Sequence, residues 1–246
     1  PTTLDDDPAG GTGGTGSTTP PDACKIGDTT YSTLEDAIDK ASDGAQIDLL
    51  TDIERDEGLT FDKKTLTISG GGHKLTLEEN GIYASESNLT FQDLTLKIHA
   101  HTHTHEDGAG KTANLITNSS ILRLSHVTLD LSPDGSCGSG FYLHQDSDLY
   151  LENNTRAFVH DFKHENANGI YADDYSDNSH GIWVTSSSLE ITGCDWNGMT
   201  IDPINLTLDN AKVTLTGNGL SGWYAGGLGC YGEGKNGGTL TMRSST

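Results

Sequence analysis

Between positions 99 and 111 the chain runs HAHTHTHEDGAGK. Side chains of an extended strand alternate between faces, so His99, His101, His103 and His105 share one face. Imidazoles two residues apart can share a tetrahedral ion such as zinc, and Glu106 or Asp107 would add a further ligand. The competing reading is a solvated polar loop, because the intervening threonines offer no carboxylate to orient the rings. A second dense segment is DFKHENANGIYADDYSDNSH, over 161–180. Its Asp173, Asp174, Asp177 and His180, flanked by Tyr171, Tyr175 and Trp183, carry the oxygen ligands that calcium prefers. The same carboxylates could instead act as acid and base in glycoside hydrolysis. The default is solvated charge.

Aromatic residues form the third chemical group. Gly-apolar-aromatic triplets recur as Gly81-Ile82-Tyr83, Gly140-Phe141-Tyr142 and Gly181-Ile182-Trp183, with Gly229-Cys230-Tyr231 as a further variant. If these triplets are equivalent, Tyr83, Ile116, Tyr142, Trp183, Thr207 and Tyr231 fall on one outward stripe. Such a stripe is either structural or a stacking platform for sugar rings, whose hydroxyls Asp, Asn and Thr at the edges would bind. Tyr83, Tyr142, Tyr171, Tyr175 and Trp183 are therefore the ligand-binding candidates.

These groups need a scaffold, and the chain supplies one by repetition. Two apolar residues around one polar residue recur as Leu66/Ile68, Leu89/Phe91, Leu122/Leu124, Leu149/Leu151, Leu189/Ile191, Val213/Leu215 and Leu240/Met242. Successive intervals are 23, 33, 27, 40, 24 and 27 residues, which suggests a unit of 23 or 24 with insertions. Each unit continues with a second alternating segment, as in Leu94/Leu96/Ile98 or Val127/Leu129/Leu131, and then the Gly-led third. Three short strands per turn and about seven turns give a coiled parallel sheet, all-β, with alternate side chains in a narrow common core. The insertions 99–111, 132–139 and 161–180 then stack along one corner, where loops on a rigid scaffold are placed to bind.

One helix is expected, over 33–42: Leu34, Ala37, Ile38 and Ala41 recur at helical spacing, Ser32 and Glu35 form a capping box, and Gly44 stops it. Coils begin at about Ala45. Residues 1–22 are a Gly/Thr/Pro linker with Leu4 as the one large apolar side chain, which predicts a longer multidomain protein. Residues 23–246 form the single β-helix domain, ending within a unit. With 14 basic against 36 acidic residues the net charge is −22, which excludes an ordinary nucleic-acid binder. No apolar run is long enough to span a membrane. Cys24, Cys137, Cys194 and Cys230 permit three pairings; the register makes Cys194 and Cys230 inward thiols and leaves Cys137 as the reactive one. Asn88, Asn118, Asn153 and Asn205 precede Xaa-Ser/Thr but suit turns and corners.

The helix leading into ASDGAQIDLLTDI, followed by KTLTISGGG, SNLTFQDLTL and SSILRLSHVTLDL, resembles the right-handed parallel β-helix domains of Gram-positive cell-surface proteins, which are pectate-lyase-like in fold and adhesive in role. The resemblance covers about residues 23–246. It implies a right-handed parallel β-helix with a short N-terminal capping helix, outside the cell, at the surface or in the wall. That fold hosts lyases, hydrolases and non-catalytic adhesins, so function rests on the site. Asp173-Asp174 followed by His180-Gly181 is similar to polygalacturonases, but NANGI stands in place of their Asn-Thr-Asp-Gly-type motif and no Arg-x-Lys follows. A pectate lyase needs a positioned base beside calcium; the arginines are Arg55, Arg123, Arg156 and Arg243, and Arg123 sits at an outward strand position without an evident acidic pocket. The expected function is non-catalytic adhesion to a glycan or glycoprotein through the insertion corner. A polysaccharide lyase or glycoside hydrolase using Asp173, Asp174 and His180 is the alternative, and a structural stalk is the third.

Overall fold

The computed structural model describes residues 22–100, 103–104, 112–135, 138–173, 180–202, 204–220, 226–230 and 239–246. They wind as a right-handed parallel β-helix of three sheets. The first sheet stacks eight parallel strands: Ala45–Leu49, Thr65–Ser69, Asn88–Gln92, Ile121–Ser125, Asp148–Glu152, Gly181–Thr185, Asn205–Asp209 and Leu240–Arg243. The second has seven, from Ile53–Arg55 to Lys212–Thr216, and the third has seven, from Leu59–Asp62 to Leu228–Cys230. Seven full coils result, as the repeat predicts.

Inward residues of neighbouring coils sit directly above one another. In the first sheet one column runs Leu66, Leu89, Leu122, Leu149, Ile182, Leu206 and a second runs Ile68, Phe91, Leu124, Leu151, Val184, Leu208. All twelve side chains are buried. Flat-sided coils also need sharp corners, and at two of the three corners single left-handed residues make the turn in four coils each. Lys63, Glu86, Ser119 and Gln145 turn the chain from third sheet to first, and Asp93, His126, Ser186 and Asn210 from first to second, all at positive φ. A left-handed residue with a Cβ costs about 1–2 kcal/mol, and hydroxyl ladders offset it. The Ser87 amide donates to Ser120 Oγ at 3.0 Å and the Ser120 amide to Ser147 Oγ at 3.3 Å, while each hydroxyl donates to a carbonyl of its own coil. At the other corner Val127 N–H donates to Thr155 Oγ1 and Thr155 N–H to Ser187 Oγ, both at 3.1 Å.

The helix Leu34–Lys40 covers the first coil with buried Leu34, Ala37 and Ile38. Its cap is Thr33, one residue later than expected, because Thr33 Oγ1 rather than Ser32 accepts from Asp36 N–H, at 3.2 Å. Lys64 Nζ donates to the Ile38 carbonyl at the other end, and Glu35 pairs with Arg55 of the second sheet.

Four expectations on register need correction. Leu189/Ile191 and Val213/Leu215 belong to the second sheet; Ile182/Val184 and Leu206/Leu208 continue the first. Gly181-Ile182-Trp183 is therefore a first-sheet strand, and Asn168–Asp173, taken as insertion, is the true third-sheet strand after Ser139–His144. The segment 161–180 thus divides: 161–167 lies between a second-sheet and a third-sheet strand, and the third-sheet strand ends at Asp173 before Gly181 opens the next first-sheet strand. The His-rich detour also starts later, because Thr95–Ala100 stays in register with Thr128–Pro133, so His99 lies on the second sheet. The physical cause of the confusion is that glycine marks close coil-to-coil approach in more than one sheet. A Cβ at Gly181 would lie 2.4 Å from the Asn205 carbonyl oxygen, and one at Gly169 would lie 2.1 Å from Ile191 Cγ2 and 2.7 Å from the Gly198 carbonyl oxygen.

Gly140, Gly169 and Gly198 form that column in the third sheet. Gly169→Ala is expected to destabilise the domain by about 2–3 kcal/mol through overpacking, whereas Gly226→Ala, with nothing within 4 Å, leaves the thermal midpoint unchanged. Differential scanning calorimetry of the two variants checks this.

Candidate functional site

Among the described residues the candidates lie on more than one sheet: Tyr83, Tyr142 and Tyr171 on the third, Trp183 on the first and His99 on the second. On the outer face of the third sheet, Tyr83, Ile116, Tyr142 and Tyr171 stack in register, and Ala113 packs over them. Ala113 belongs to the short strand Thr112–Ala113, which pairs antiparallel with His103–Thr104. One step further along the same strands lie Asn118, His144, Asp173 and Asp202. His144 Nδ1 bonds Asp173 Oδ1 at 2.7 Å and the Tyr142 hydroxyl at 2.9 Å, and that hydroxyl reaches Asp173 Oδ2 at 3.3 Å. The His144 and Asp173 side chains are only 8% and 3% exposed. A carboxylate on Nδ1 orients the imidazole, so this is a closed hydrogen-bonded triangle joining adjacent coils. His144 was not anticipated; the signal was its place two residues after Tyr142 on one strand.

Two members of the proposed acid–base set, Asp173 and His180, are described, and each has its own hydrogen-bond partners. Asp173 is committed to His144, whereas His180 lies at the third-to-first corner with Nδ1 3.2 Å from Asp148 Oδ1 and Nε2 3.7 Å from Asp146 Oδ1. Asp174, Tyr175 and Asp177 lie outside the described residues. Trp183 separates from the tyrosines as well: it stacks on Tyr150 on the first sheet, with centroids 4.6 Å apart and planes 9° apart. Arg123 lies 3.8 Å over the other face of Tyr150. Tyr150 is thus sandwiched, and burial pushes its phenol up, with Asp148 adding to the effect and Arg123 opposing it. Of the outward stripe expected from the sequence, Thr207 follows Trp183 in the first sheet and Tyr231 is outside the described residues.

For the metal candidates, His99 Nδ1 bonds Ser132 Oγ at 2.9 Å on the second sheet. His103 is placed in its two-residue strand; His101, His105, Glu106 and Asp107 lie outside the described residues. Among the described residues no group of three or more His, Cys, Asp or Glu side chains could hold a metal ion.

The outer face of the second sheet holds a feature that the sequence reading passed over. A groove of about 400 Å³ is lined by Arg156, Phe158, Ser188 and Glu190 together with Thr128, Asp130, Lys212 and Thr214. Ala157 and Val159 point inward, so Phe158 must point out, and it is 37% exposed. Asp130 and Glu190 are its register neighbours on the coils before and after. His160 stacks on Phe158 at 4.3 Å and 20°. Its Nε2 bonds Asp130 Oδ1 at 3.0 Å and its Nδ1 bonds Asp161 Oδ2 at 2.9 Å. His160, with Lys163 at 2.7 Å, holds the Asp161 carboxyl below the usual carboxylate range. An aromatic face among carboxylates, hydroxyls and cations suits a polyhydroxylated ligand. The available signal was a large aromatic residue at the solvent phase of an alternating strand.

Cys24 and Cys194 are free and buried, and burial pushes their thiols up to about 11 and about 12. Cys194 sits just beyond Ser188–Thr192, matching Phe162 beyond Arg156–His160 rather than Leu94 or Val127. Cys230, expected inward and buried, is exposed, because Leu228–Cys230 is the outermost strand of the third sheet among the described residues. Cys137 lies outside them. The chain was compared with family models, curated proteins and solved structures, and no match was found in any of the three.

Breaking the buried His144–Asp173 pair leaves one partner uncompensated, so Asp173→Asn is expected to cost about 3 kcal/mol in urea unfolding. A second outcome concerns the thiols: burial pushes the Cys230 thiol up as well, but Cys230 is exposed whereas Cys24 and Cys194 are buried, and since only thiolate reacts, alkylation of these three in the folded protein should begin at Cys230 as the pH rises, with Cys24 following before Cys194. Peptide mapping after iodoacetamide treatment reads both.

Proposed function

We propose that this chain is a non-catalytic binding module of the extracellular, cell-surface adhesive type, and that it takes a glycan on the outer face of its second sheet. The observation that carries the reading is Phe158, an exposed aromatic ring in a groove that Asp130, Glu190, Thr128, Ser188 and Thr214 also line. Sugar rings present C–H faces to aromatic side chains and hydroxyls to carboxylates, so both halves of such a ligand have partners there. The proposed contact surface therefore differs from the insertion corner and from the tyrosine column, where Tyr142 is buried. The resemblance to adhesive β-helix domains points the same way, as an analogy of fold.

The groove is rigid, since its strands are fixed by the coils on both sides, and a preformed site keeps the ordering cost of binding low. The net charge of −22 keeps the surface soluble and repels polyanions. The test is a panel of immobilised oligosaccharides. The wild-type chain should be retained by at least one glycan with no release of reducing ends, and Phe158→Ala should weaken retention about tenfold, the ~1.4 kcal/mol of one aromatic contact. Retention unchanged by Phe158→Ala, or product release, would contradict the reading.

A further inference from the structure

The groove has a neighbour. A second groove of about 400 Å³ follows the corner between first and second sheets, lined by Asn154, Ser186, Asn210 and Ser244 among others. The two grooves share one wall, the column Arg156, Ser188 and Lys212. These three residues are register neighbours on successive coils, so Arg156 and Lys212 stand two strand spacings apart, about 9–10 Å along the axis. Both are exposed, and neither enters an ion pair among the described residues. Lys25, Lys40, Lys74 and Arg243 likewise enter no ion pair among the described residues, but Arg156 and Lys212 are the two cations that line both grooves. Two cations left unpaired on a shared ridge, in a chain with a 22-charge acidic excess, stand ready for an anionic group from outside.

We infer that Arg156 and Lys212 form an anion-reading subsite for a glycan that carries one acidic group, a carboxylate or a sulfate ester, on an otherwise neutral chain. The inference rests on the glycan reading of the Phe158 groove. A ligand with one sugar against Phe158 crosses the ridge to enter the corner groove, and its acidic group then meets the guanidinium of Arg156, which forms paired hydrogen bonds with planar anions. Ser188 offers a hydroxyl between the two cations. The limit to a single acidic group follows from the next column, where Asp130 and Glu190 flank Phe158. A polyuronate lying over both columns would set its charges against theirs, within the field of the whole acidic domain.

The experiment uses matched glycans: a neutral oligosaccharide, the same chain ending in one carboxylated sugar, the same chain with one sulfate ester, and a polyuronate. Binding is measured at low and at physiological salt for wild type, Phe158→Ala and Arg156→Gln/Lys212→Gln. The singly acidic forms should bind wild type about tenfold or more tightly than the neutral form at low salt, and the margin should shrink as salt screens it. A gain for both acidic forms reports charge, and a gain for the carboxylate alone reports the Arg156 fork; either supports the subsite. The double variant should bring the acidic forms down to its own affinity for the neutral form, whereas Phe158→Ala should weaken every form. Equal binding of neutral and acidic forms, a margin surviving in the double variant, or preference for the polyuronate overturns the subsite while leaving the groove reading standing. Binding of none of the glycans overturns both.

Discussion

No coil of this chain has a core of its own. Each contributes a few inward residues, and these become buried only because the next coil sets equivalent residues about 4.8 Å away. Leu122 is covered by Leu89 and Leu149, and Leu149 in turn by Ile182. In-register stacking is therefore the condition on which the rest depends, and a one-residue slip would turn an entire inward set outward. The hydroxyl ladders and the glycine column act on that register. Serines at the third-to-first corner bond the coil beside them, and Gly140, Gly169 and Gly198 let backbones approach where a methyl group would collide.

The same condition produces the outer surface. Alternation carries every second residue outward, and stacking turns those residues into columns, so residues about 30 positions apart become neighbours. That is how Arg123, Tyr150 and Trp183 meet, how Asp173 reaches His144, and how Arg156, Ser188 and Lys212 form a ridge. The three faces carry different chemistry. The third sheet buries Tyr142 between half-buried Tyr83 and Tyr171 together with a hydrogen-bonded triangle, the first holds a cation and two aromatics in mutual contact, and the second leaves an aromatic ring open in a groove. Of these, the second alone combines an exposed aromatic face with concavity and unpaired cations among the described residues.

Much of the fold was legible before any coordinates, since paired aliphatic residues, seven turns and a capping helix follow from periodicity. Register within the turns was not, because Leu-x-Leu pairs face inward in the first and second sheets alike. Leu189/Ile191 and Ile182/Val184 look the same to a reader who cannot see which corner holds the extra residues. The glycine before Ile182 compounded the confusion, as it performs in the first sheet the close approach that Gly169 performs in the third. One misplaced strand then sent Trp183 to the wrong face and hid Asn168–Asp173 inside a supposed insertion. Phe158 and His160 were overlooked for a different reason: single outward residues carry no repeating pattern, and only stacking reveals that Asp130, Ser188 and Glu190 surround them.

The central claim is that ligand recognition belongs to the second-sheet face. A backbone amide NMR titration of the folded chain with an oligosaccharide it retains tests this most directly. The account predicts concentration-dependent shifts gathered at Asp130, Arg156, Phe158, Ser188 and Glu190, with the amides of Tyr83, Tyr142 and Trp183 unmoved. Shifts centred on those three residues instead, or spread evenly over all three sheets, would contradict it.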